Sequence, residues 1–235
     1  MSTEMMPFDV SNLPIPATMS AEDLNELSKG VDHLQRIQLV TKGKYVDTGK
    51  ISPGHYGVPQ PGGEEIHDLG PEIDVLPLCV RPKALDVRDR DAIVAVYDMS
   101  DPKFKEIQET SALPGEQGCM WGPSFLLVER NTGMLYELFL GNKSGRAESG
   151  KLVKFLPVTG DEARGPLPCT LKARYARRGQ IGWHVPVVTQ CSEPFTNVPS
   201  NEKLRAEITK FVEVKVEGPE TVSTDEATTT RRRAR

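Results

Sequence analysis

The chain is poor in the residue patterns that announce an enzyme. Its four cysteines, Cys79, Cys119, Cys169 and Cys191, are widely spaced, with no CxxC pair and no Cys/His pair at zinc-ligand spacing. They read as reduced thiols among apolar or small neighbours. The four histidines are isolated, and no HExxH, GxSxG or DxDxDG pattern occurs. No apolar run approaches the ~20 residues that cross a bilayer. No basic stretch followed by an apolar run marks a signal peptide. The expectation is a soluble cytoplasmic protein that needs no metal or cofactor and has no membrane partner. Aromatics are also scarce: 6% of 235 residues, with two tryptophans, Trp121 and Trp183.

Hydrophobic residues make up 37% and charged residues 26%, as in an ordinary globular domain. Residues 1–30 carry five acids and one lysine among several prolines and read as a flexible acidic arm, with a short helix possible from Ser20 to Gly30. Residues 31–213 read as a β-rich core domain closed by an amphipathic helix. Residues 214–235, a Thr/Glu-rich tail ending in RRRAR, read as disordered.

Within the core, LQRIQLV (34–40), EIDVLPLCVRPKALDV (72–87) and AIVAVYDM (92–99) read as strands, and Pro77 and Pro82 place the second at an edge or bulge. SFLLVERNTGMLYELFL (124–140) and TLKARYARRGQIGWHVPVV (170–188) have hairpin patterning, with turns near Gly133 and Gly179. PKFKEIQET (102–110) reads as a short helix with Phe104 and Ile107 inward. SNEKLRAEITKFV (200–212) reads as one with Leu204, Ile208, Phe211 and Val212 on a single face. The pattern predicts a mainly β fold: a small antiparallel OB-like barrel with extensions and short helices.

GRAESGKL (145–152) has the spacing of a phosphate-binding loop. Leu152 stands where a Mg²⁺-binding hydroxyl is required, and Pro157 cuts short the helix that should follow. The octet reads instead as a glycine-rich connection. DVRDRD (86–91) reads as a salt-paired turn rather than a metal site. His67, among Glu64, Glu65 and Asp68, reads as part of an acidic surface loop. EVK (213–215) matches only the end of a nuclease pattern.

Charge is unevenly distributed. Residues 61–140 hold fifteen acids against seven bases, whereas residues 141–192 hold nine bases against three acids. From Thr170 to Gln190 there are four bases and no acid. One-sided charge points to an anionic partner. The aromatics Tyr175 and Trp183 flank the turn of this basic hairpin, where they are expected to approach each other across the strands. Cations that track phosphates, with aromatic faces that stack unpaired bases, are what single-stranded DNA needs. The candidate contacts are Lys172, Arg174, Arg177 and Arg178, helped by Lys143, Arg146 and Lys151, with Tyr175 and Trp183 stacking bases and Trp121 a further candidate. Recognition helices, zinc fingers and RNP-type motifs are absent.

The segments LQRIQLVTKGKYVDTGKISPGHYG (34–57), DLGPEIDVLPLCVRPKALD (68–86), GCMWGPSFLL (118–127) and GWHVPVVTQCSEPF (182–195) resemble a group of small tailed-bacteriophage proteins treated as single-stranded DNA-binding proteins. The resemblance implies an oligonucleotide-binding barrel that works in the host cytoplasm with phage replication or recombination proteins. The tail departs from the acidic partner-binding tip common in such proteins, because it finishes in four arginines. The expectation is a non-enzymatic single-stranded DNA-binding protein, able to form oligomers. A phage structural or assembly protein is the alternative, and a metal-dependent nuclease the third reading.

Overall fold

The computed structural model describes residues 34–60, 63–89, 93–116, 118–160, 163–191, 193–195, 197–214 and 216–217. The readings of an acidic arm over 1–30 and of a tail beyond Glu217 lie outside these residues.

The organising element is β4 (Glu72–Asp86), a fifteen-residue strand. One edge pairs antiparallel with β6 (Cys119–Glu129) from Val75 to Asp86. The other edge is shared by two partners at its two ends. Residues Glu72 to Val75 pair with β8 (Cys169–Arg178), and Ala84 to Asp86 pair with the short β5 (Val94–Val96). The ladder shifts register between Pro77 and Cys79, so the missing N–H of Pro77 falls at a bulge, as its sequence position suggests. Pro82 faces Pro123 across the ladder.

From β6 the sheet runs on through β7 (Leu135–Phe139), β1 (Arg36–Leu39), β2 (Tyr56–Pro59) and β3 (Ile66–Gly70). β6 and β7 form the expected hairpin. Glu129 closes its turn by accepting the backbone N–H groups of Asn131 and Thr132 and the hydroxyl of Thr132. β9 (Ile181–Gln190) pairs only with β8. β10 (Val216–Glu217) pairs with β5, so the chain is still part of the sheet beyond Glu213.

The mainly β reading holds, but the closed antiparallel OB-like barrel does not. Nine strands of three residues or more, with the two-residue β10, form one open mixed sheet. β1 lies parallel to β7, and β3 and β9 each pair with a single neighbour. The β1–β7 pairing joins residues about a hundred positions apart. No local turn signal encodes it, whereas both hairpins are local.

Four short helices flank the sheet: α1 (Lys44–Asp47), α2 (Pro102–Thr110), α3 (Lys143–Leu152) and α4 (Asn201–Glu213). α2 matches its sequence pattern, with Asp101 accepting Lys103 N–H at the cap and Phe104 and Ile107 buried. α4 is capped by Ser200 and buries Leu204 and Phe211, but Val212 is exposed. α3 is a correction. The octet, whose glycines suggest a connection, is helical and capped by Asn142, whose side chain accepts Gly145 N–H at 2.6 Å. Burial of Leu152 in the core outweighs the low helix propensity of two glycines.

One face of the sheet carries the main core, with Ile37, Tyr56, Val75, Phe125, Leu138, Leu171 and Val188 among its members. On the opposite face α4 covers Leu76, Leu78, Leu126 and Val128. That face also buries ions. Glu137 is 2% exposed and Lys83 fully buried, 2.8 Å apart. Arg36 donates to the same carboxylate at 2.8 Å, and Ser124 at 2.5 Å. Arg81 lies between the rings of Tyr97 and Phe211, 3.5 and 4.0 Å from their centroids. Burial alone would raise the Glu137 pKa. The Lys83 and Arg36 charges and the hydrogen bonds from Lys83 and Ser124 outweigh it and hold the carboxyl at about 2. Glu129 and Glu137 both belong to the acidic stretch 61–140, yet neither charge is on the surface.

Candidate nucleic-acid interface

The β8–β9 hairpin is held at its base and along β9, where His184 meets Gly54, and is exposed over residues 177–182. Its base is fixed to β4 by the ladder from Glu72 to Val75 and by Asp74, which accepts the Thr170 hydroxyl at 2.6 Å and the Arg130 guanidinium at 2.8 Å. Burial pushes the Asp74 carboxyl up, but these two hydrogen bonds carry it below the ordinary aspartate range. From Arg174 outward β8 bonds only to β9. The turn is two residues, Gly179 and Gln180, between paired Arg178 and Ile181. Gly179 has φ 61°, and no residue other than glycine has a positive φ among those described. Glycine at the first central position is the type II′ pattern, whose twist suits a two-stranded ribbon.

Side chains alternate between the two faces of a strand, and cross-strand partners share a face. The register therefore sorts the candidate residues. One face carries Lys172 opposite Val187, Arg174 opposite Val185, Ala176 opposite Trp183 and Arg178 opposite Ile181. The other carries Leu171 opposite Val188, Ala173 opposite Pro186, Tyr175 opposite His184 and Arg177 opposite Gly182. Tyr175 and Trp183 thus do not approach each other. The expected aromatic pair is corrected to two aromatics on opposite faces, because their positions differ by one residue from direct opposition.

Tyr175 is 60% exposed and Trp183 half-buried. Tyr175 meets His184 edge-on, with ring centroids 5.3 Å apart and planes at 62°. A side-chain carbon at Gly182 would lie 1.9 Å from the Tyr175 hydroxyl, so the ring lies across this glycine. His184 in turn packs on Gly54, where an added carbon would come within 2.6 Å of the imidazole. His184, Gly182 and Gly54 carry no motif. Only the register, which the turn position fixes, identifies His184 and Gly182 as neighbours of Tyr175.

The cations differ in what they are free to do. Arg174 and Arg178 are exposed and have no ion-pair or hydrogen-bond partner among the described residues. Lys172 is paired with Glu72, 2.8 Å away across the β4–β8 ladder. Arg177 donates through Nε to the Gly179 carbonyl at 2.7 Å, which braces the turn. Of the three on or near the octet, Lys143 is exposed and Lys151 pairs with Glu148 at 2.9 Å. Arg146 is committed to the fold. It donates to the carbonyls of Trp121 and Gly141, and its guanidinium sits 4.6 Å from the centre of the Trp121 ring. Trp121 is therefore occupied by Arg146 rather than presented with it. α3 packs against β9, so Lys143 and Lys151 lie on the element next to the ribbon.

The octet cannot cradle a phosphate as a P-loop does, since its backbone N–H groups are spent inside α3. At DVRDRD, Arg88 closes on Asp86 at 2.6 Å; Asp91 lies outside the described residues. Asp68 pairs with His55, and Glu65 with Lys50. Among the described residues no group of three or more His, Cys, Asp or Glu side chains could hold a metal ion, and no helix is long and apolar enough to cross a membrane. Comparison with protein-family models, curated proteins and solved structures finds no match.

Proposed function

We propose that the protein binds single-stranded DNA along the Trp183 face of the β8–β9 ribbon. The observation that carries this reading is the register, which puts Arg174, Arg178 and Trp183 on one side of a two-stranded ribbon with no acid in its 21 residues from Thr170 to Gln190. Two exposed guanidiniums supply phosphate contacts, and the half-buried indole supplies a stacking face between them. Lys172 is a weaker contact, because DNA must compete with Glu72 for it. Lys143 extends the positive surface from α3.

Such an interface is sequence-tolerant, since every base has a π-face, and strongly salt-dependent. The chemistry is binding rather than turnover. A setting in phage replication or recombination follows from the resemblance of the four sequence segments alone. A titration of the full chain with fluorescent oligo-dT at several salt concentrations tests the reading. It requires saturable binding that weakens steeply as salt rises.

A further inference from the structure

A single strand that follows one face of the ribbon meets only one of its two aromatics. The other face presents Tyr175, among the most exposed large apolar side chains described, with Arg177 beside it. At the tip, in the last pair before the turn and on the Trp183 face, stands Ile181. It is 72% exposed, the highest value of any large apolar side chain among the described residues; Arg178 is its cross-strand partner, and Arg177 precedes Arg178 on the other face. A β-branched aliphatic side chain at the end of a cationic two-stranded arm has the shape and chemistry of a wedge that enters between stacked base pairs.

We propose that the ribbon recognises the junction where a DNA duplex opens into single strands. Ile181 inserts against the terminal base pair. One separated strand passes down the Trp183 face, with Arg174 and Arg178 on its phosphates. The complementary strand meets Tyr175 and Arg177 at the exposed tip of the other face and leaves it before Ala173, where that face joins the core. This divides between two strands the aromatics that the register keeps apart. It rests on the single-strand reading for the Trp183 face only. The fixed base supports the geometry: Asp74, Thr170 and Arg130 tie the arm to β4, so a load on the tip is carried into the sheet. His184 meets the Tyr175 ring edge-on and itself packs on Gly54.

The test uses the full chain with three DNA probes: oligo-dT, a blunt duplex, and a forked duplex with two oligo-dT arms and 2-aminopurine at the last base pair. The fork should bind about tenfold more tightly than oligo-dT, and 2-aminopurine fluorescence should rise as that pair unstacks. Ile181→Ser should abolish the rise and bring the ratio of fork to oligo-dT affinity, both measured on the variant, down to about one. Ile181 is exposed, and circular dichroism confirms that the variant is folded. A fork bound no better than oligo-dT, or a fluorescence rise that survives I181S, overturns the wedge even if oligo-dT binds well. A rise at the fork that depends on Ile181, with no affinity for oligo-dT, sustains the wedge and overturns the single-strand reading instead.

Discussion

Tyr175 sits directly opposite His184 across the β8–β9 ladder, their rings edge-on at 5.3 Å. Trp183, one residue earlier on β9, therefore points to the other side of the ribbon, with Arg174 and Arg178. That one-residue offset determines which side chains can share a ligand.

The Trp183 face should lose affinity in a distinctive way when its indole is removed. Trp183→Ala should weaken oligo-dT binding by the amount typical of one stacked base, about 1–3 kcal/mol, and leave the salt dependence unchanged. Tryptophan fluorescence should quench on DNA addition in the parent and lose most of that response in the variant. Thermal melting of the variant separates lost stacking from lost folding.

Gly182 should tolerate no side chain while Tyr175 keeps its place. An added carbon would lie 1.9 Å from the phenol oxygen, so Gly182→Ala must swing the ring off His184. Proton NMR should show the His184 ring signals moving toward their unstacked positions. The cost should be that of one aromatic pair, about 0.5–1.5 kcal/mol, and calorimetry should show only a small fall in melting temperature.

Glu137 should make the fold sensitive to acid. Its folded pKa of about 2 lies below its ordinary value, so its contribution to stability is complete above the unfolded pKa of about 4.5 and is lost as pH falls toward 2. Glu137→Gln should destabilise at neutral pH by about 3–5 kcal/mol, because Lys83 is left buried without its carboxylate. Urea unfolding from neutral pH down to pH 2 should show a steeper loss in the parent than in the variant.

The octet 145–152 should be silent toward nucleotides. Its residues are in α3 and Lys151 pairs with Glu148. Lys151→Ala should leave ATP binding at the parent's background level in equilibrium dialysis, and Mg²⁺-dependent hydrolysis should be absent from both proteins.

The parts of this fold that the sequence discloses are the local ones. Both hairpins, α2 and α4 follow from periodicity and caps within a dozen residues, and the Pro77 bulge follows from a missing N–H. The parallel pairing of β1 with β7 has no local signature, and without it the strand list suggests a closed antiparallel barrel. α3 was hidden because Gly145 and Gly150 look like a turn until Leu152 is seen to need the core. The basic hairpin was legible as composition. Which cations are free was not, since Glu72 reaches Lys172 from a strand a hundred residues earlier, and Arg146 is drawn to carbonyls that no pattern marks. Glu129 and Glu137 look like surface acids in a count, although the apolar run around LYELF hints that Glu137 is inside.

The most direct measurement is the salt dependence of oligo-dT affinity for the parent chain and for Arg174→Gln/Arg178→Gln. Each phosphate neutralised on a single strand contributes about 0.7 to the slope of log affinity against log salt, so loss of two contacts should lower the slope by about 1.4. Both side chains are exposed and unpaired among the described residues, so the double variant should melt as the parent does. Saturable binding by the parent, with a slope lowered by that amount in the variant, is the predicted result. No affinity of the parent for oligo-dT at low salt, or an identical slope in the two proteins, would contradict it.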